Sequence, residues 1–289
     1  MTSDSGYGAT VAKRRLARRL VALRARASMS LNEATDKLGW SRGRLNRFEA
    51  NQWRLPDASH VRDLARIYGA SEQEGAELEE LVFRARARLW WHEPDKETDR
   101  VFANEFAGFE NDAARISAYM PLVVPGLLQT EAYMRAILAV GPWDEGWRER
   151  ALAARLRRQE ILDRTDGTAP RLVAVVTEAS LLYRWGAQAE RRAQIEHLAV
   201  MSRRPSVELR MLRFADGPHP GMSSLIYVFD FPDDDEPSVV YLENDTELQE
   251  VTKPGEVDAY KATFARIREA ALAPAATRNY LDTLTRNLE

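Results

Sequence analysis

No cysteine occurs among the 289 residues, which removes disulfides, thiolate zinc sites and cysteine nucleophiles at once and fits a reducing compartment. Histidine is nearly as scarce. The four, His60, His92, His197 and His219, show no helical metal-pair spacing, so metal catalysis has no motif. There is neither a glycine-rich phosphate loop nor a G-x-S-x-G elbow, and the chain is not expected to be an enzyme or to carry a cofactor. No apolar run approaches the roughly 20 residues of a membrane span; the longest uncharged stretch, 116–130, holds two prolines. Acids are missing altogether between Asp4 and Glu33, as in a transit peptide, but the longest apolar run there, 20–23, is far too short for a secretory signal. The expected location is therefore the cytoplasm, with no membrane partner.

What is present is unevenly distributed. A chain that is 45% apolar and 29% charged has the composition of a globular protein, and its length suggests two domains of ordinary size. The net charge of -3 conceals a basic block: positions 11–56 carry twelve Lys/Arg against three acids, a balance of +9 that leaves -12 on everything else. One compact basic segment on an acidic body points to a polyanion partner for that segment alone.

Hydrophobic spacing organises the same region into helices. Leu16, Leu20, Leu23 and Ala27 recur on one helical face, with Arg14, Arg15, Arg18 and Arg19 largely on the others. Ser30 precedes Glu33 at capping-box spacing and opens a short helix with Ala34 and Leu38 inward. Gly39 suits a reversal, and Ser41 stands where it can cap a third helix through Phe48. Pro56 and Asp57 restart the chain into a fourth helix ended by Gly69; a fifth, 72–91, starts acidic and ends in Arg84, Arg86 and Arg88. Two short helices joined by a tight turn inside such a bundle form a helix-turn-helix, whose second member enters the major groove of double-stranded DNA.

In the third helix Leu45 and Phe48 point inward, leaving Arg42, Gly43, Arg44, Asn46 and Arg47 outside or flanking. Arginine matches the two acceptors of guanine, so Arg42 and Arg44 are the expected base readers. Lys37, Arg47, Arg54 and the arginines of the first helix are the expected phosphate contacts. Because one short helix reads few base pairs, a homodimer on two half-sites is expected.

The run SLNEATDKLGWSRGRLNRFEANQWRLP (30–56) resembles the xenobiotic-response-element type of helix-turn-helix at its framework positions, including Gly39, Ser41, Leu45, Arg47, Glu49 and Pro56. The resemblance implies a sequence-specific transcriptional regulator and adds Ser30 and Leu31 to the DNA face. At Leu31 the family carries glutamine, so a contact is lost there; where it carries glycine this chain has Asn51, which tolerates a left-handed turn. It also implies a structural pair between Arg24 and Glu49.

Beyond a polar stretch holding Pro94 the periods mix. The sequence predicts helices at 127–138, 147–162, 190–202, 257–271 and 275–288, and strands at 171–177, 207–214, 223–231 and 238–242. The expected organisation is a disordered tail (1–12), an all-α five-helix helix-turn-helix bundle (13–91), a linker (92–104) and an α/β or α+β domain (105–289) with at least four strands and about five helices. YMPLVVPGLLQTEAYMRAIL (119–138), RLRRQEIL (155–162), VTEASL (176–181) and VVYLEN (239–244) resemble a domain that follows such DNA-binding modules in actinobacterial antitoxin-like regulators. This implies a small neighbouring protein as partner, with sequestration of that protein by an antitoxin, or gating by a metabolite, as rival roles.

Several residues here admit two readings. Gln129, Thr130 and Glu131 open a helix after Pro125-Gly126 and are either an ordinary helix start or a ligand site. Glu178 follows a strand, where α/β proteins often bind ligands, or simply caps a junction. Arg155, Arg158 and Gln159 share a helical face and either bind an anion or pair with Glu149 and Asp163. The acids 233–236 form a solvated hairpin loop or dock a basic partner or the basic first domain. His219, between two prolines, marks a rigid surface loop, and Trp90-Trp91 are expected to pack the two domains together.

Overall fold

The computed structural model describes residues 8–52, 56–87, 104–222, 225–233, 235–243 and 248–287. The chain divides into two compact units, 1–93 and 94–289. The first is all-helical: α1 (Ala9–Arg26), α2 (Leu31–Leu38), α3 (Arg42–Glu49), α4 (Ala58–Ile67) and α5 (Glu72–Ala85). Helix α1 starts inside the expected tail, with Ala9, Val11 and Ala12 buried. Capping boxes at Ser30/Glu33 and Ser71/Glu74 start α2 and α5, and the Asp57 carboxylate accepts from the Ser59 N–H at the start of α4. Gly39 ends α2 at φ +63° and Asn51 takes φ +59° after α3, the left-handed turns that the sequence anticipates. Ser41 does stand at the start of α3, but its hydroxyl makes no capping bond. The core gathers Leu16, Leu20 and Leu23 from α1, Leu45 and Phe48 from α3, Leu64 from α4 and Leu78 from α5. Trp90 and Trp91 lie outside the described residues.

The second unit is a six-stranded mixed sheet with helices. Its strands are β1 (Arg115–Tyr119), β2 (Arg171–Thr177), β3 (Val207–Leu212), β4 (Ile226–Asp230), β5 (Val239–Glu243) and β6 (Leu248–Val251), in spatial order β3-β2-β1-β4-β5-β6. The first three are parallel; β4, β5 and β6 pair antiparallel. The described helices are α6 (Asn104–Asp112), α7 (Glu131–Val140), α8 (Glu145–Gln159), α9 (Glu178–Leu182), α10 (Gln188–Met201), α11 (Pro254–Ala270) and α12 (Pro274–Asn287). Alternation along the strands gives each face its own core. Tyr119, Val173, Val175, Val228 and Val240 meet Val257, Phe264 and Ile267 of α11. On the opposite face Phe106 of α6 sets its ring edge-on against Tyr227, Phe229 and Tyr241, with centroids 5.1 to 5.3 Å apart.

The expected helix 127–138 is two pieces, a 3-10 turn at Gly126–Leu128 and then α7, because Thr130 turns extended to cap α7 through the Tyr133 N–H. Strand β3 lies at an edge, where unpaired backbone invites foreign strands. Here the Met211 N–H donates to Thr277 Oγ1 (3.1 Å) and the Met211 carbonyl accepts from the Leu272 N–H (2.9 Å), so the start of α12 covers it. Thr277→Val keeps the shape and strands a buried donor. The expected loss is about 1 to 3 kcal/mol, read as a lower denaturation midpoint of the second unit; an unchanged midpoint would contradict the role given to Thr277.

The acidic run joins the antiparallel neighbours β4 and β5 and is therefore a hairpin connection. Its solvation is incomplete, because Glu236 is buried, its N–H bonded to the Asp233 carbonyl at 2.9 Å. His219 donates to the Pro220 carbonyl and sets its ring edge-on to Tyr119, which ties that loop to the core.

Candidate nucleic-acid interface

Two buried apolar anchors orient α3, Leu45 with no exposure and Phe48 with 6%. A charged clamp fixes it from behind. The Arg24 guanidinium of α1 grips the Glu49 carboxylate through its Nε and Nη2, both bonds at 2.7 Å, its Nη1 donates to the Met29 carbonyl at 3.0 Å, and the Tyr68 hydroxyl donates to the same carboxylate at 3.1 Å. The pair is largely out of solvent, with side-chain exposures of 19% and 7%. The Glu49 hydrogen bonds raise the Arg24 pKa, and burial raises that of Tyr68. This is the pair the sequence resemblance implies.

With that back face held, Arg42, Gly43, Asn46 and Arg47 lie exposed. Spacings of three and four place them on one outward ridge. The Arg42 Nε donates to the Asn32 Oδ1 of α2. Lys37 of α2 and its N-cap residue Ser30 are exposed, whereas Leu31 is half-buried against the core.

Arg44 departs from the expected arrangement. It is half-buried, stacked over the Trp40 ring at 4.5 Å and directed at the His60 imidazole of α4. Trp40 and His60 are themselves edge-on at 4.8 Å. A guanidinium with an aromatic face beneath it and a ring nitrogen ahead of it is occupied, so in this structure Arg44 faces α4 and not outward with Arg42. Neither Trp40, His60 nor Asn32 was singled out from the sequence, since the first belongs to the turn, the second lies 16 residues from Arg44, and the third belongs to the neighbouring helix. Arg54 falls outside the described residues. Of the arginines of α1, Arg19 leans on Glu77 of α5 at 3.5 Å.

In the second unit the residues with two readings separate into structural junctions and one polar cluster. Glu178 is buried, its carboxylate accepting from the Phe214 N–H and the Tyr280 hydroxyl, and so ties the start of α9 to α12. Glu131 is exposed and paired with Arg135 at 2.9 Å. The Thr130 N–H donates to buried Gln194. Arg155, Arg158 and Gln159 do converge on Gln129 and the 3-10 turn. Their expected partners are engaged elsewhere, Glu149 with Arg135 and Asp163 with Arg204. Arg158 finds Glu110 instead, 48 residues away on α6, at 2.6 and 3.0 Å. Among the described residues no group of three His, Cys, Asp or Glu is placed to hold a metal ion, and no helix is long and apolar enough to cross a membrane.

Residues 15–80 match the model of a helix-turn-helix domain, which defines the class of the chain as a DNA-binding regulator. Residues 103–283, more than half of the chain, match the domain of unknown function DUF5753, and the chain belongs to that family. No curated protein and no solved structure matches it.

Proposed function

We propose that this chain is a sequence-specific transcriptional regulator that binds as a homodimer, each copy laying α3 in the major groove with Arg42 reading a guanine. The observation that carries the proposal is the exposed ridge Arg42-Gly43-Asn46-Arg47 on a helix locked from behind by Arg24 and Glu49. Arginine binds guanine O6 and N7 through two parallel bonds, and asparagine binds adenine N6 and N7 likewise; the exposed Arg47 and Lys37 hold phosphates in this reading. Helix α5 carries five acids against one arginine, four of the acids ion-paired with arginines, and so offers a polyanion less attraction than α3 does. Selection of bound duplexes from a random pool, at stated salt, tests the reading. Two similar half-sites with centres about 34 Å apart are expected, and no enriched sequence would refute it.

Gly43 separates folding from binding. A Cβ there would meet only the mobile end of Arg47, at 3.5 Å, so Gly43→Ala should stabilise α3 by about 0.5 to 1 kcal/mol through helix propensity. The same methyl group stands on the ridge assigned to the groove, where the backbone must come close. Calorimetry should show a higher melting temperature, and operator titration a weaker complex; a variant that is both more stable and fully active would move the contact away from Gly43.

A further inference from the structure

We propose that Arg155 anchors a second binding site, in the DUF5753 unit, for one singly charged carboxylate group.

The polar cluster leaves one guanidinium without a close acceptor. The Arg158 guanidinium is paired with Glu110 through two bonds and lies over the Phe106 ring at 5.0 Å. The Gln159 amide donates to the carbonyls of Gly126 and Gln129. Arg155 has no such company: among the described residues its hydrogen bonding is a long contact of 3.4 Å from Nη1 to Gln129 Oε1, while Nε is sealed from solvent with no acceptor. The Gln129 amide nitrogen is held on the Val124 carbonyl, so its oxygen cannot come closer. Glu243 on β5 faces the two arginines electrostatically but forms no ion pair with Arg155. Burial, then the neighbouring Arg158, lowers the Arg155 pKa to about 10, and burial pushes that of Glu243 up. A group in that state costs stability, because desolvation is not repaid by a partner.

The missing partner can be described chemically. Nε and Nη2 form the edge of a guanidinium that binds a carboxylate through two parallel bonds, and in the bound state this half-buried side chain turns that edge toward the ligand. Glu110 holds Arg158 directly, whereas Glu243 offsets Arg155 only through space, with no hydrogen bond to it. A dianion such as phosphate would place its second charge against Glu243 and Glu110. A planar monoanion fits and a phosphate does not.

The full chain, with nitrogen-labelled arginine, is titrated with acetate, benzoate and inorganic phosphate at constant ionic strength. Acetate or benzoate is expected to move the Arg155 Nε–H resonance and raise the melting temperature, both saturably, since a ligand of the folded state stabilises it. Phosphate should need at least about tenfold more. Arg155→Met should abolish both responses and, without ligand, melt no lower than the unchanged protein. N-acetyltyrosine binding far more tightly than acetate would assign a peptide end as the source, and equal binding a free acid; either result keeps the carboxylate. Absence of a saturable response, an equal response in Arg155→Met, equal binding of phosphate, or a lower melting temperature of the variant would each overturn the site. Operator binding takes no part in this test, so its failure leaves the reading of α3 untouched.

Discussion

Glu49→Ala is expected to lower the stability of the first unit by about 2 to 4 kcal/mol, because it leaves the Arg24 guanidinium facing a cavity. The full cost of an orphaned buried charge, about 3 to 5 kcal/mol, is reduced here by the 19% exposure of the Arg24 side chain and its surviving bond to the Met29 carbonyl. Tyr68 loses its acceptor as well. For a domain of this size each kcal/mol moves the melting temperature by about 4 to 8 °C, so calorimetry should show a drop of at least about 8 °C. The double variant Arg24→Met, Glu49→Leu should recover much of it, since well-packed apolar groups often replace a buried pair at little cost. An unchanged melting temperature for Glu49→Ala would show that the clamp is ornamental and that the apolar anchors alone hold α3.

Arg42→Ala is expected to weaken operator binding by about 1 to 3 kcal/mol, from severalfold to more than a hundredfold, and to relax the preference at one position in each half-site. Arg44→Ala should cost less and leave the selected sequence unchanged, because its guanidinium is occupied by Trp40 and His60. Lys37→Ala should weaken all sequences alike and flatten the salt dependence, the behaviour of a phosphate contact. Competition titrations of the three variants separate these outcomes. If Arg44→Ala alone changed the preferred sequence, the base-reading role would belong to Arg44, with its side chain leaving α4 in the complex.

Local signals were legible in the sequence, and distant ones were not. The capping box at Ser30, the left-handed turn at Gly39 and the inward pair Leu45/Phe48 are all decided within a few residues. Strand β2 was equally plain, as an apolar run bounded by Arg171 and Thr177. Strand β1 was missed because from Ile116 to Tyr119 both faces are buried, which erases alternation, and α9 and β6 are too short to show a period. The partner of Arg158 could not be guessed from helical spacing, since Glu110 reaches it from another element. Arg44 shows the same limit: its helix position gave its direction to within one face, and an aromatic ring and an imidazole from neighbouring segments decided the rest.

The central claim, that the outward ridge of α3 meets the bases, is tested most directly by photocrosslinking. A benzophenone side chain is placed at Asn46 on that ridge, or at Phe83, which is exposed on the acidic helix α5, and each full-length protein is irradiated on its selected operator. Position 46 is expected to crosslink to bases within the half-site and position 83 to give no specific product. Efficient crosslinking from 83 with none from 46 would contradict the account.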